Sequence, residues 1–334
     1  MIYNMNKKIK EIDRAELHAH LGSSVPVEIL WELAHEQWIR LPVSDYDDFE
    51  TMITMGKLEK NKDLVEMDAK YFKWTELIQS SPHAMREAVR HTIGINYRKS
   101  NLVLQELRVN PMNRNKGWEL DLDYLLVSAI HGLDKALLQY TKVRAWIIIC
   151  LDRRFSVEQN MILLEKAIKY KNRWVIWIDI AWPMVESFNI KDYKTIFAIA
   201  KWAWLWTTIH TWEEWSLEEL RYVVEEIKPD RIGHWIMAVQ DKKIMEKIAN
   251  QNIILEICPT SNLKNSKLPN IKALKDIIRT LLDNDVKLTL NTDWAVMYNI
   301  NIVKEEEFLL ENNICTEKEI KQMYKNAFEY TFIK

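Results

Sequence analysis

The sequence predicts an α/β protein folded as a (β/α)₈ TIM-type barrel, with additional helices after the first strand and at the C-terminus. Eight short β-rich segments alternate with longer amphipathic segments along the chain. Several β-rich segments are almost continuously apolar, as buried parallel strands are. The length of 334 residues suits one barrel, so we expect residues 1–334 to form a single domain. An open doubly wound sheet is the less favoured alternative, because the candidate site residues lie at the ends of several strands.

The predicted strands have the lengths that barrel strands require. In chain order they are Ala15–His20, Leu102–Val109, Val143–Cys150, Val175–Ile180, Leu205–His210, Arg231–His234, Ile253–Ile257 and Lys287–Asn291.

The segments between these strands show helical periodicity. The clearest helices are predicted at Val27–Gln37, Asp121–Tyr140, Val157–Tyr170, Ser216–Ile227, Asp241–Asn250 and Ile271–Asn284. The stretch from Tyr46 to Arg98 is too long for one crossover helix, so it should contain extra helices. The end of the chain, from Val303 to Lys334, is predicted to form two more helices.

Composition excludes several classes of protein. With 48% hydrophobic and 28% charged residues, the chain is neither disordered nor a disulfide scaffold. A net charge of -2 argues against general binding of nucleic acid or of acidic membranes. The sequence contains no apolar stretch long enough to span a bilayer, and Met1 to Arg14 does not resemble a signal peptide. Together with three widely separated cysteines, this predicts a cytoplasmic protein.

Three strand ends carry polar residues that can bind a metal. His18 and His20 are two residues apart in the first strand, so their imidazoles point to the same side. His210 ends the fifth strand and Asp293 follows the eighth. Because the carboxyl ends of barrel strands gather at one face, these residues are expected to meet there. Three imidazoles and one carboxylate suit Zn²⁺, so we predict one zinc ion per chain with a position left for water.

Two further groups can move protons around such a metal. His234 ends the sixth strand, and Glu213 lies just after His210. We predict that His234 and Asp293 orient the attacking water and accept its proton, and that protonated Glu213 donates to a ring nitrogen of the substrate. This set of catalytic residues suits hydrolytic loss of ammonia from a heteroaromatic amine, because zinc lowers the pKa of water toward neutrality.

The motifs resemble those of the adenosine deaminase family, within the metal-dependent amidohydrolase superfamily, over nearly the whole chain. The similar segments are Glu16 to Leu21, Asp179 to Ala181, Thr208 to Glu213, Asp230 to Trp235, Cys258 to Asn262 and Asn291 to Asp293. The resemblance implies a zinc barrel enzyme that hydrolyses adenosine or a related aminopurine to the 6-oxo product and ammonia. It also implies that Glu213 is the proton donor to purine N1, and that His234 and Asp293 act on the water.

Several positions depart from the family pattern. Adenosine deaminases usually have an aspartate where this chain has Gly22, and a second one where it has Trp294. We expect His20, Gly22, Trp182 and Trp294 to line the substrate pocket. The sequence therefore does not decide whether the substrate is adenosine, deoxyadenosine, adenine, AMP or a modified nucleoside. The partner is expected to be a small molecule, with no nucleic acid and no membrane, and the oligomeric state is not predicted.

The chain has only 6 glycines and 15 tryptophans. Many tryptophans stand where the family has glycine or where a turn or close packing favours it: Trp38, Trp146, Trp177, Trp182, Trp204, Trp206, Trp212, Trp215 and Trp235; Trp294 is open to the same question. We hypothesise that these are glycines, encoded by UGA and read as tryptophan. If all tryptophans except Trp31, Trp74 and Trp202 were glycine, the glycine content would approach the average of about 7%. Trp204 and Trp206 are otherwise expected on the strand face of His210, where they would crowd the barrel interior.

Three alternatives follow from the same residues. Another amidohydrolase could act on a cyclic amide or amine, but its binuclear members carry a lysine at the end of the fourth strand, where this chain has Asp179. A non-catalytic pseudoenzyme is favoured only if the tryptophans are real and block the pocket. A nucleic-acid deaminase is least favoured, because the chain has no Cys-x-x-Cys motif.

Overall fold

A computed structural model describes residues 12–56, 64–182, 185–211, 216–234, 236–265 and 268–331. Eight strands are hydrogen-bonded in sequence order within one sheet. They are β1 (Arg14–His20), β2 (Leu102–Val109), β3 (Arg144–Asp152), β4 (Val175–Ala181), β5 (Trp206–Thr211), β6 (Arg231–His234), β7 (Ile254–Ile257) and β8 (Leu288–Leu290). A parallel bridge between Ala19 and Asp293 joins β1 to the segment after β8. The chain therefore folds as a (β/α)₈ barrel, as the sequence predicts.

Helices follow the strands and account for most of the remaining described residues. They are α1 (Val27–Glu36), α2 (Tyr46–Ile53), α3 (Leu64–Met67), α4 (Lys73–Ile78), α5 (Pro82–Ser100), α6 (Leu122–Gln139), α7 (Val157–Tyr170), α8 (Lys194–Trp202), α9 (Leu217–Tyr222), α10 (Lys242–Asn250), α11 (Pro259–Asn265), α12 (Ile271–Asp283), α13 (Ile302–Glu311) and α14 (Glu317–Tyr330). Helices α2 to α5 confirm the extra helices predicted after β1, and α13 and α14 confirm the two at the C-terminus.

The chain divides into two compact units. One comprises residues 1–147 and 292–304, and the other comprises residues 148–291 and 305–334. In the first, β1 and β2 are entirely buried and α5 packs along α6. In the second, β4 to β8 pair in parallel and α14 packs beside β8. The division falls inside β3, and the single domain over residues 1–334 stays a prediction.

Local sequence explains where the elements begin. Ser156 caps α7 in a capping box with Gln159, and Thr316 caps α14 in the same way with Glu319. Asp121, Asp241 and Asn270 accept backbone N–H bonds at the starts of α6, α10 and α12. These short polar residues stand directly before the helical periodicity begins, so the predicted helix starts agree with the structure to within one residue.

One sequence expectation about the strands is wrong. Trp204 does not lie on a strand face with His210, since β5 begins at Trp206 and the Trp204 side chain is 86% exposed. Trp204 instead lies in the turn that ends α8, where its N–H donates to the carbonyl of Lys201. The apolar run from Trp202 to Leu205 conceals this helix end, because it lacks the residues that usually mark one.

None of the helices in the described part of the chain is both long and apolar enough to cross a membrane. The three cysteines, Cys150, Cys258 and Cys315, are buried and not paired with one another.

A buried ion pair joins β6, the strand that ends at His234, to β7. Arg231 Nε is 2.6 Å from Glu256 Oε1 of β7, both side chains are at most 1% exposed, and the guanidinium lies 3.7 Å from the centre of the Trp177 ring. Removing one partner of such a pair leaves a buried charge without its counter-ion.

We therefore expect Glu256→Gln to lower the free energy of unfolding by about 3–5 kcal/mol, measured by urea denaturation. The matched control is Glu226→Gln, which removes the same charge from an exposed pair with Lys194 at 2.8 Å. That change should cost less than about 1 kcal/mol. Equal losses in the two variants would contradict the role given to the buried pair.

Candidate metal centre

Strand β1 presents two imidazoles from one side. His18 and His20 alternate with the buried Leu17 and Ala19, and their ring centroids lie 5.5 Å apart. Both histidines are buried, so neither is an ordinary surface side chain. The i, i+2 spacing recognised in the sequence therefore places the two rings together, as predicted.

Asp293 lies against both rings. Its Oδ1 is 3.5 Å from His18 Nε2 and 3.4 Å from His20 Nε2, and the carboxylate is fully buried. The backbone fixes this position, because His20 N–H donates to Asp293 O at 3.1 Å and Asp293 N–H donates to His18 O at 2.9 Å. Asp293 also has a left-handed backbone with φ of 62°, a conformation that is costly for a residue with a side chain.

Glu16 joins β1 to the segment before Asp293, a role that the sequence analysis missed. Its Oε2 accepts the backbone N–H of Thr292 at 2.9 Å and the Thr292 hydroxyl at 2.7 Å, and its Oε1 accepts His18 N–H at 2.9 Å. Burial raises the pKa of Glu16 to about 8, although these hydrogen bonds act in the opposite direction. A glutamate in a strand that Ala15, Leu17 and Ala19 mark as buried was the signal that could have identified it.

His210 ends β5 and is oriented by a carboxylate. Its Nδ1 lies 2.8 Å from Asp179 Oδ2 at the end of β4, and both side chains are almost fully buried. A carboxylate on one imidazole nitrogen fixes the ring so that the other nitrogen can bind a metal. His210 Nε2 is therefore the atom available for coordination.

Arg153, which directly follows β3, also contacts His210. Its Nη2 donates to the His210 carbonyl at 2.9 Å, and its Nη1 forms a 3.0 Å ion pair with Glu219 of α9. Burial lowers the pKa of the guanidinium to about 10, which still leaves it charged at neutral pH. The sequence analysis missed Arg153 because an arginine after a strand gives no indication of its distant partners.

His234 lies at the end of β6, with its ring centroid 5.3 Å from that of His210. Its backbone is left-handed with φ of 63°, so its side chain does not follow the alternation of side chains between the two faces of a regular strand. The Asn262 carboxamide lies against its Nδ1 at 3.2 Å. The Cys258 to Asn262 motif of the sequence thus provides the residue that contacts His234.

The predicted ligands converge. Ligand atoms of His18, His20, His210 and Asp293 all lie within 4.8 Å of one another, and all four residues are buried. Nitrogen and oxygen atoms that bind Zn²⁺ at about 2.0–2.2 Å lie roughly 3–4 Å apart, which is the range of the Asp293 distances. The donor set of three imidazoles and one carboxylate therefore fits a borderline metal ion such as zinc.

Gly22 and Trp294 lie close to this cluster. A Cβ added to Gly22 would lie 2.7 Å from Arg114 Nη2, so the aspartate expected there from the family would require Arg114 to move. Trp294 is 3% exposed, with its ring 5.1 Å from Phe72 and 6.4 Å from His20.

Trp182 directly follows β4, and the Arg154 guanidinium lies 4.9 Å from the centre of its ring. The predicted proton donor Glu213 lies outside the described residues, as do Trp212, Trp215 and Trp235. The roles assigned to all these residues in binding and catalysis stay predictions.

The comparisons with known proteins agree with this fold and site. A family model described as adenosine deaminase matches residues 13–334. Adenosine deaminase of Clostridium kluyveri is 27% identical over 330 residues, which cover 98% of this chain and 92% of that protein.

Two solved structures show the same fold. A zinc-bound amidohydrolase from Burkholderia ambifaria superposes with a TM-score of 0.82 at 16% identity, over 98% of this chain and 88% of that one. The N6-mAMP deaminase of Arabidopsis superposes with a TM-score of 0.78 at 21% identity, over 98% of this chain and 96% of that one. Because the family model covers nearly the whole sequence, the chain belongs to the adenosine deaminase family of metal-dependent aminohydrolases.

Proposed function

We propose that this protein hydrolyses adenosine or a closely related aminopurine to the 6-oxo product and ammonia, using one Zn²⁺ per chain. The observation that supports it best is the convergence of His18, His20, His210 and Asp293 in a family of hydrolytic deaminases. In this proposal these four residues hold the ion. Zinc bound there would supply a Lewis acid that lowers the pKa of water toward neutrality.

The residues of the chain carry the proton transfers. Water adds to C6 of the purine, His234 takes the proton that the water loses, and Glu213 donates a proton to ring N1. His234 then passes its proton to the amino group, ammonia departs as the C6–N bond breaks, and the proton left on the C6 oxygen returns to Glu213, which leaves the 6-oxo ring. Asp293 accepts a hydrogen bond from the attacking water and so helps to orient it.

His234 can act as a base at Nε2 only if Nδ1 carries the hydrogen. Its neighbour at Nδ1 is the Asn262 carboxamide, whose Nδ2 lies 3.2 Å away. The oxygen and nitrogen of a carboxamide exchange places when the group rotates by half a turn, so either can face the ring. The proposed reaction requires the amide oxygen to accept Nδ1–H, which makes Asn262 a positioning residue.

The proposed substrate is an aminopurine, and the sugar or phosphate attached to the purine is not specified. The relatives differ here, since one is named for adenosine and a structural neighbour for N6-mAMP. Gly22 beside the cationic Arg114 replaces the aspartate that usually contacts the ribose, which weakens the case for adenosine over its relatives. Arg114 is itself paired with Glu76 at 3.1 Å.

The alternatives have less support. Asp179, near the end of β4, is paired with His210. In the binuclear alternative a lysine here would bridge two metals, whereas in this chain the position orients a proposed zinc ligand. The pseudoenzyme alternative depends on real tryptophans in the pocket and is tested by turnover.

Removal of Asp293 should affect both metal and chemistry. We expect the purified chain to contain one zinc per polypeptide by elemental analysis, and Asp293→Ala to lose most of that zinc and its turnover, because the carboxylate lies between two of the other ligands. His91→Ala, on α5 and outside the cluster, is the control and should retain zinc. A fully loaded Asp293→Ala protein would exclude this residue as the fourth ligand.

Glu213 should be essential for turnover and dispensable for zinc. We expect Glu213→Gln to reduce ammonia release by at least about 100-fold while zinc content is unchanged, since a missing general acid typically costs 10²–10⁴-fold. Retained turnover would reject the proton-donor role.

The same ammonia assay identifies the substrate among adenosine, deoxyadenosine, adenine, AMP and N6-methyl-AMP. Zinc-loaded protein that releases ammonia or methylamine from none of them would reject the proposed function.

Asn262 should affect kcat more than KM. Asn262→Leu removes the acceptor for Nδ1–H at similar volume, and we expect kcat to fall by about 10- to 100-fold with zinc retained. Asn262→Asp keeps an acceptor oxygen and should recover most of the rate. Asn265→Ala, one turn further along α11, is the control. Equal losses for the leucine and aspartate variants would contradict the positioning role.

A further inference from the structure

Among the residues that the structure describes, four tryptophans adopt a backbone conformation that favours glycine. Trp38, Trp174, Trp182 and Trp204 have φ of 55°, 70°, 80° and 63°. With a side chain present, this left-handed region brings Cβ close to the backbone, and a bulky residue there is a genuine outlier. Each of the six glycines, by contrast, has a φ outside this region, although glycine adopts it without cost.

Two of these tryptophans end helices in a Schellman motif. After α1, Trp38 N–H donates to His35 O at 3.1 Å and Ile39 N–H donates to Ala34 O at 2.9 Å. After α8, Trp204 N–H donates to Lys201 O at 3.0 Å and the N–H of the next residue donates to Ala200 O at 2.9 Å. Glycine is the usual residue at this position of the motif.

Neither indole is packed in a way that would offset the strain. The Trp38 side chain is 92% exposed and that of Trp204 is 86% exposed. A buried tryptophan could recover the cost through apolar contacts, but an exposed one cannot. At these two positions the chain therefore carries the cost of a side chain and gains little from it.

The same pair of hydrogen bonds occurs at four other turns, and these serve as an internal comparison. The left-handed residue there is Asn252 after α10, Asp285 after α12, Asn313 after α13 and, in a turn between elements, Asn299. Asparagine and aspartate tolerate this conformation better than other residues with a side chain. At these four turns the left-handed position is thus occupied by residue types that tolerate it.

The other two tryptophans flank β4, the strand that carries Asp179. Trp174 directly precedes the strand and Trp182 directly follows it. Trp182 lies on the side of the strand end where the catalytic groups gather, and the Arg154 guanidinium stacks on its ring. A glycine at this position would remove the ring from the end of β4.

We propose that glycine occupies positions 38, 174, 182 and 204 of the polypeptide made in its native cell, and that tryptophan there results from reading UGA codons with the usual table. The backbone geometry carries this inference for these four positions, and the composition of the sequence extends the expectation to others. The proposal concerns the covalent structure of the chain, so it stands or falls separately from the proposed deamination.

Peptide mass spectrometry of the protein isolated from its native source tests the proposal directly. We expect peptides that contain positions 38, 174, 182 and 204 to have the mass of glycine at each. Trp31, which lies in regular helix within α1, should be tryptophan and serves as the internal reference. Tryptophan masses at position 38 or 204 would overturn the proposal, whatever the enzyme does with aminopurines.

A recombinant comparison tests the physical basis. Trp204→Gly in the full chain should raise Tm by roughly 2–4 °C or more, because it relieves the left-handed strain. The matched control is Trp202→Gly at the last residue of α8, which is 84% exposed and has an ordinary helical backbone; it should not raise Tm, because glycine relieves no strain there and is a poor helix former. If both variants lowered Tm equally, position 204 would not be a glycine position.

Discussion

One aspartate, Asp293, holds the candidate centre together, because its Oδ1 lies 3.5 Å from His18 Nε2 and 3.4 Å from His20 Nε2 while its backbone pairs with the strand that carries them. A fully buried carboxylate is costly unless positive charge lies close to it. A divalent cation bound by the same atoms would supply that charge. Three imidazoles and one buried carboxylate therefore make a donor set that suits a metal ion.

The strand ends position these groups by two different devices. Regular alternation suffices for His18 and His20, since residues two apart share a face. Asp293 and His234 instead adopt left-handed backbones, with φ of 62° and 63°. That conformation redirects a side chain at the point where a strand ends, at a cost in local strain of about 1–3 kcal/mol for each residue. The surrounding pairing, such as the two bonds between β1 and Asp293, maintains it.

The sequence was informative where a residue's position depends only on the strand that carries it. Period and apolarity located all eight strands, and the candidate ligands that the structure brings together followed from their position at strand ends. It failed for Glu16, Arg153 and Asn262, because their functions depend on contacts with residues far away in sequence. Trp204 was misplaced for a related reason. The end of α8 is defined by backbone hydrogen bonds, and tryptophan does not signal a left-handed turn as glycine or asparagine would.

Metal binding and turnover should respond differently to the identity of residue 182 and the other pocket positions. No ligand in the cluster is a tryptophan, so exchange of tryptophan for glycine leaves the donor set unchanged. The space for a purine is more sensitive, because the Trp294 ring lies 6.4 Å from the ring of His20. Under the two proposals, a chain with tryptophan at every pocket position would keep the zinc ligands but lack the space for its substrate. Activity measured on that chain alone would underestimate what the glycine form does, since the shape of the pocket, and not its chemistry, is what differs between them.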